Sequence, residues 1–461
     1  MAHIHFIGIG GAGLSAIARV LLERGQTVSG SDRAASPLAD SLARAGARIV
    51  IGHAAENIRG AHKVIRSSAI PDDNPEVLAA RAAGLPVLKR AEYLPELLKD
   101  CRVLAVAGSH GKTTTSAMLA WTLTAMNERP GFIVGGVVEN LGVNAATGTS
   151  EYFVIEADEY DYMFWGLNPE AAVVTNVEHD HPDMFPTADD FRLAFEGFAE
   201  RIKPGGLLAA NTEDPGAAAL LARAAGGDKD TVSYALHGPA DFSAADVKSL
   251  PGSGYSFRAL KGGVLLADVA LQAPGEHNVR NALAVLAVVD WLGLDVQEAA
   301  LALGDFRGAG RRFEVIGEAG GVTVVDDYGH HPTEIRATLS AARARYPGRR
   351  LWAVWQPHTY SRTLQLLESF GAAFDHADRV LVTGVYAARE APPEDFSHDR
   401  VLAAIRADQP VFQQRLAEAT GYLLAEVRPG DVVLVFSAGD ATEVSAGLLA
   451  GLQSRAGEGV A

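Results

Sequence analysis

A short, unbroken apolar run that ends in glycine or in polar residues recurs along the whole chain. "IHFIGIG", "RVLAVAGSHGK", "YFVIEAD", "AAVVTNVEHD", "VTVVDDYG", "RLWAVWQPH" and "VVLVFSAG" all have this form. Strands buried on both faces read this way, and they occur in parallel sheets covered by helices. Helical spacing fills the gaps, as in "GLSAIARVLLERG", with apolar residues at Leu14, Ile17, Ala18, Leu21 and Leu22 and a stop at Gly25. The pattern predicts an α/β fold, with functional groups just past the carboxyl ends of the strands.

The rhythm restarts twice. "CRVLAVAG" opens a new unit near residue 99, and "GAGRRFEVI" another near residue 308. Three α/β domains are expected, over 1–98, 99–307 and 308–461. Between Ala245 and Leu271 the texture changes, and "GYSFRAL" and "GVLLADVAL" read as an antiparallel excursion turning at Gly262 and Gly263. "HNVRNALAVLAVVDWLG" reads as a long helix.

Charge narrows the partners. With 40 basic and 56 acidic residues the net charge is -16. A nucleic-acid or anionic-membrane footprint needs clustered Lys and Arg, so neither is expected. Phosphate groups stay possible, because backbone N–H groups bind them within an acidic protein. The single cysteine, Cys101, rules out an intrachain disulfide and reads as a buried structural thiol. No apolar run has the length of a membrane span, and no basic segment precedes an apolar one at the start of the chain, so a cytoplasmic protein is expected.

Two glycine-rich loops carry the first chemical signals. Gly8, Gly10 and Gly13 satisfy G-x-G-x-x-G between a strand and a helix, and Asp32 ends the next strand at the distance of a ribose-binding acid. A dinucleotide site needs two such halves, and a different phosphate loop begins before a second is complete. A mononucleotide diphosphate fits the available length better, with NAD(P) as the alternative. The second loop, "GSHGKTTT", has the strand–loop–helix setting of a P-loop. The usual G-x-x-x-x-G-K-[ST] places its first glycine at 106, but Val106 stands there and Gly108 comes two places later. Lys112 is expected on the β/γ phosphates and Thr113 on Mg2+.

Polar clusters follow. "VIEADEYD" places Glu156, Asp158, Glu159 and Asp161 past a strand, with Glu156 the expected Mg2+ ligand. "NVEHDHPDMF" approaches a zinc-hydrolase pattern but has Met184 at the last histidine position, so a histidine at a second Mg2+ is the reading. "DDYGHHPTE" and "WQPHTYSRT" point to a substrate-facing surface in the last domain.

Together, "FIGIGGAGLSAIA", "SSAIPDDNPE", "GSHGKTTT", "EADEYD", "NVEHDHPDMF", "GEHNVRNALAV", "GRRFE", "DDYGHHPTEI" and "QPHTYSRT" resemble the Mur ligases, from residue 5 to about 440. The family's phosphate loop is the shorter G-x-x-G-K-T, which removes the anomaly at Val106. The resemblance implies an N-terminal Rossmann-like domain for a UDP-sugar, a central P-loop ATPase domain and a C-terminal Rossmann-like domain. It implies ATP-dependent ligation of L-alanine to the lactyl carboxylate of UDP-N-acetylmuramate, through an acyl phosphate, in peptidoglycan synthesis. The alternatives are a recycling ligase that adds a tripeptide, and an NAD-dependent dehydrogenase with an appended ATPase domain.

Residue roles follow from the resemblance. Gly8, Gly10, Gly11, Gly13 and Asp32 would hold the UDP-sugar. Gly108, Ser109, His110, Gly111, Lys112, Thr113 and Thr114 would hold ATP, joined by His277 and Asn278, and by Arg312 and Asp327 from the last domain. Tyr328, His358 and Arg362 would form the amino-acid pocket, with Arg362 facing the carboxylate. Thr113, Glu156 and His181 would hold metal, and Lys112 and His181 are the expected catalytic residues. Leu14, Trp355 and Thr359 depart from the family's commoner Met, Phe and Arg. No lysine lies between His181 and Lys203, so the carbamylated lysine of several relatives is not expected. "GDFRGAGRRF" reads as a hinge, and a monomer or weak homodimer is expected.

Overall fold

The computed structural model describes residues 2–250 and 254–458. Residues 251–253, inside the expected antiparallel excursion, lie outside the described residues. Three sheets organise the chain, with 5, 10 and 6 strands.

The first sheet is parallel throughout, in the order Arg48–Ile51, Thr27–Asp32, His3–Ile7, Lys63–Arg66, Val87–Leu88. This is the first half of a doubly wound sheet with a short additional strand, and it contains no second mononucleotide half. Helix Ala12–Glu23 packs on it through Leu14, Ile17, Ala18 and Leu21, all buried, as the spacing requires. Gly25, at φ +75°, ends the helix in a left-handed conformation that glycine adopts without cost.

The middle sheet runs Val264–Leu271, Tyr255–Lys261, Phe242–Ser249, Asp230–Ala235, Leu207–Asn211, Ala171–Val174, Arg102–Ala107, Tyr152–Glu156, Gly131–Val138, Val143–Ala146. Its centre is parallel, and both edges are antiparallel. The excursion turns at Gly262 and Gly263, both with positive φ. Helix Glu276–Trp291 is buried on nearly all sides, which explains its near-continuous apolar sequence. It packs with helix Lys112–Ala125 beside the sheet.

The third sheet runs Glu314–Ala319, Val322–Asp327, Val432–Phe436, Leu351–Trp355, Arg379–Thr383, Val411–Gln413, and only its first strand is antiparallel. The chain enters it through a turn with positive φ at Gly308, Arg311 and Phe313. Among the described residues, no helix is long and apolar enough to cross a membrane. Cys101 is only half-buried, packed at the edge of the core rather than inside it. It precedes strand Arg102–Ala107 and lies in the connection, not in the apolar run itself.

Candidate active site

The phosphate loop links strand Arg102–Ala107 to helix Lys112–Ala125. Gly108 sits at φ +137°, and a Cβ there would lie 1.9 Å from Thr175 Oγ1. Gly111, at φ +79°, caps the helix with no side-chain hydrogen bond, so the first-turn N–H groups have no side-chain acceptor. An uncapped helix start of this kind binds anions. The loop is braced from behind: His110 N–H donates to Asn176 Oδ1 (2.8 Å) and Thr175 Oγ1 to the His110 carbonyl (2.5 Å).

Lys112 Nζ donates to the Gly108 carbonyl (2.5 Å) and pairs with Glu159 (2.9 Å). Burial opposes its charge, but Glu159 and Asp158 outweigh that and raise its pKa. Thr113 Oγ1 donates to Glu156 Oε1 (3.0 Å), and Gly135 N–H to Glu156 Oε2 (2.7 Å). Hard oxygen donors grouped in this way suit Mg2+.

The four acids of residues 156–161 go to different places. Glu156 meets Thr113, and Glu159, fully buried, meets Lys112 and His181 Nε2 (3.4 Å). The other two reach the first domain: Asp158 accepts from Arg90 (2.9 Å), and Asp161 from Lys89 (3.0 Å) and Ser68 (2.5 Å). Asp161, Tyr162 and His181 all have positive φ, the stored backbone strain that gathers at functional sites.

His181 contacts Glu159, Asp180 and Arg362. Burial alone would lower its pKa, but Asp180 and Glu159 raise it. Glu156 and His181 line one cavity without being paired.

The third domain contributes the far wall. Arg362 Nε donates to Asp180 Oδ1 (2.8 Å), a pair in which both residues are under 5% exposed. Its Nη1 donates to His358 Nδ1 (2.8 Å). Burial and the nearby His330 push the His358 pKa down to about 3, so the ring is a neutral acceptor. Asp327 accepts from Gly329 and Phe313 N–H groups. Burial outweighs Arg312 and lifts its pKa to about 6.

Three cavities among the described residues meet here. One of about 710 Å³ lies between the middle and third domains and includes His110, Thr114, His277, Asn278 and Asp327. A second, of about 540 Å³, includes Lys112, His181, Tyr328, His358 and Arg362. The third, of about 690 Å³, lies between the first and middle domains and includes Gly13, Arg90, Thr113 and Asn144. Arg312 lines all three.

A curated UDP-N-acetylmuramate–L-alanine ligase from Chloroflexus aggregans is 44% identical over 98% of this chain and 99% of its own length. The family profile described as Mur ligase family, catalytic domain, matches residues 3–102. The Mur ligase middle domain matches 106–289, and the Mur ligase, glutamate ligase domain, 311–439. The chain belongs to the Mur ligase family. The crystal structure of a UDP-N-acetylmuramate-alanine ligase from Thermotoga maritima superposes on this Mur ligase with TM-score 0.84 and 30% identity, covering 99% of this chain and 100% of that one. A murein peptide ligase from Psychrobacter arcticus gives TM-score 0.74 and 26% identity, covering 98% and 99%.

In this Mur ligase the sequence-marked residues separate into those that reach a cavity and those that shape one. Gly13 lies on a cavity wall, with Arg90 against it: a Cβ on Gly13 would be 2.4 Å from the Arg90 guanidinium. Gly8, Gly10 and Gly11 make the loop behind it. Asp32 folds back onto that loop and accepts from Gly10 N–H (2.8 Å). Arg362, expected to face an incoming carboxylate, already holds Asp180 and His358. Sequence reasoning missed Arg90, Asp180 and Glu334, whose carboxylate lies 3.5 Å from His110 Nδ1 and 3.3 Å from Arg312, as site residues. It noticed Glu159 but gave it no role. Each of the four acts through a partner distant in the chain, and a motif of neighbouring residues does not contain that information.

Proposed function

We propose that this protein is an ATP-dependent carboxylate–amine ligase that joins L-alanine to the lactyl carboxylate of UDP-N-acetylmuramate, a cytoplasmic step of peptidoglycan synthesis. The convergence of three cavities on Arg312 carries the reading. A reaction of three substrates needs three sites that open on one reacting point. The likeness to curated ligases of that name over nearly the full chain supports the choice of substrates.

In this reading ATP takes the 710 Å³ cavity, with His277 and Asn278 toward the base and residues 108–114 on the phosphates. Burial, then Arg280 and Arg312, push the His277 pKa down to about 4, so it meets the base as a neutral ring. The UDP-sugar takes the cavity beside Gly13, with its diphosphate toward the loop of Gly8, Gly10 and Gly11. L-Alanine takes the cavity of Tyr328, His358 and Arg362.

The lactyl carboxylate attacks the γ-phosphorus, the bond to ADP breaks, and an acyl phosphate forms. The alanine amine then attacks the acyl carbon and phosphate leaves. The protein supplies position and charge. Lys112 exchanges its bonds to the Gly108 and Ser109 carbonyls for phosphate oxygens, while Glu159 keeps it charged. Arg312 meets anionic groups from every cavity. Thr113 and Glu156 would hold Mg2+, with His181 in the same cavity; when bound it neutralises phosphate charge. Water exclusion depends on the third domain lying against the middle one, as the Asp180–Arg362 pair holds it here.

Phosphate release tests the assignment. Purified protein with ATP, Mg2+ and UDP-N-acetylmuramate should turn over on addition of L-alanine. Turnover with a tripeptide but not with alanine would replace it by the recycling reaction. NADH binding without ligation would replace the class.

A further inference from the structure

We propose that His110, Glu178 and His331 form a site for a borderline divalent transition metal, such as Zn2+, that ties the middle domain to the third and is separate from the Mg2+ donors. One ligating atom from each residue lies within 4.8 Å of the other two. His110 Nε2 and Glu178 Oε2 are 3.1 Å apart. That is close to the ligand–ligand edge of a tetrahedral ion with bonds of about 2.0 Å. His331 Nδ1 is 3.9 Å from Glu178 Oε1, and the two imidazole rings lie 4.5 Å apart. Completing three corners of a tetrahedron needs His331 to shift by about an ångström and its Nδ1 to give up the Thr333 N–H that it accepts here (3.3 Å), and it leaves the fourth corner open.

Both imidazoles are held inside the domain interface. His110 is 9% exposed and His331 2%, and each keeps one buried ring nitrogen without a hydrogen-bond partner, Nδ1 and Nε2 respectively. Both are the ring nitrogens turned away from Glu178, so they carry the N–H in a neutral ring and leave His110 Nε2 and His331 Nδ1 as the lone pairs that face the proposed ion. Behind His110, Glu334 Oε1 lies 3.5 Å from Nδ1, on the side away from Glu178. A carboxylate behind a ligating imidazole fixes the ring's orientation and raises its basicity.

Ligand chemistry selects the ion. Two imidazoles and one carboxylate suit Zn2+, Ni2+ or Cu2+. Mg2+ prefers six oxygens and keeps its waters, so it competes poorly here. The site joins two domains, because His110 and Glu178 belong to the middle sheet's loops and His331 caps helix Pro332–Arg345 of the third domain. Thr333 already spans the same gap, its hydroxyl donating to Glu178 Oε1 (2.8 Å).

The experiment is a Zn2+ titration of the full-length protein in excess Mg2+, followed by competition with a chromophoric chelator. His331→Asn keeps a good helix cap, and Glu178→Gln keeps an acceptor for Thr333, so both variants should fold. The expected result is one Zn2+ per chain, weakened about tenfold or more in each variant and unchanged in Glu156→Gln. Co2+ in its place should give the intense visible band of tetrahedral coordination, lost in His331→Asn. The proposal is overturned if no Zn2+ binds, if both variants bind it as well as the parent, or if Glu156→Gln alone loses it, since the ion would then occupy the Mg2+ donors.

Discussion

Lys112 shows how much one side chain depends on its neighbours. It is held by Glu159, a fully buried acid whose role the sequence did not single out among the four of residues 156–161. Lys112→Ala removes the loop's lysine, a side chain placed to meet phosphate with a full positive charge. Phosphate release should fall about a thousandfold or more, and a variant that kept near-normal turnover would refute the loop's role. Glu76 makes a separate case, far from the cavities. It is fully buried and accepts from His5 Nε2 (3.0 Å), Ser31 (2.7 Å) and Asn57 (2.6 Å). Burial alone would raise its pKa, but these bonds win and lower it from 4.5 to about 2. A carboxylate depressed on folding stabilises the protein above its unfolded pKa. That stability is lost as pH falls from about 4.5 toward 2. Glu76→Gln should therefore cost about 3 kcal/mol at neutral pH, with the gap to the parent narrowing below pH 4.5, as urea unfolding across pH would show.

Elements were the most legible level. Apolar runs gave the strands, because a strand buried on both faces has no polar alternation to blur it. The phosphate loop was legible too, since its glycines answer a local need. Gly108→Ala would place a methyl 1.9 Å from Thr175 Oγ1 in a left-handed conformation. It should cost about 2 kcal/mol or more and weaken ATP binding, measurable by thermal shift with and without nucleotide. The acidic stretch 156–161 was legible only in part. Its place past a strand could be read, but two of its four acids turn to the first domain, and Lys89 and Arg90 carry no motif. Asp32 was legible as the end of a strand. That it would accept from Gly10 depended on how closely the loop folds back, which spacing alone does not set.

At the scale of the molecule, the third domain is joined to the middle one by buried charge. Asp180 and Arg362 lie 182 positions apart in the chain, and no local pattern connects them. Removing one partner of such a pair leaves the other charge buried and unpaired, at a cost of about 3 kcal/mol or more. Asp180→Asn should therefore shift the protein toward an open arrangement. Small-angle scattering should report a larger radius of gyration, and KM for alanine should rise more than kcat falls. An unchanged radius with unchanged KM would show that the pair does not hold the domains together.

Arg312, as a shared wall of all three cavities, has a consequence for inhibition. Under the proposed placement of substrates, a compound that fills any one cavity and touches this guanidinium should change the apparent affinity of the substrates in the other two. With the substrates placed in the cavities as proposed, resistance at that position would be costly, because replacing Arg312 to evade the compound would weaken the hold on every substrate at once.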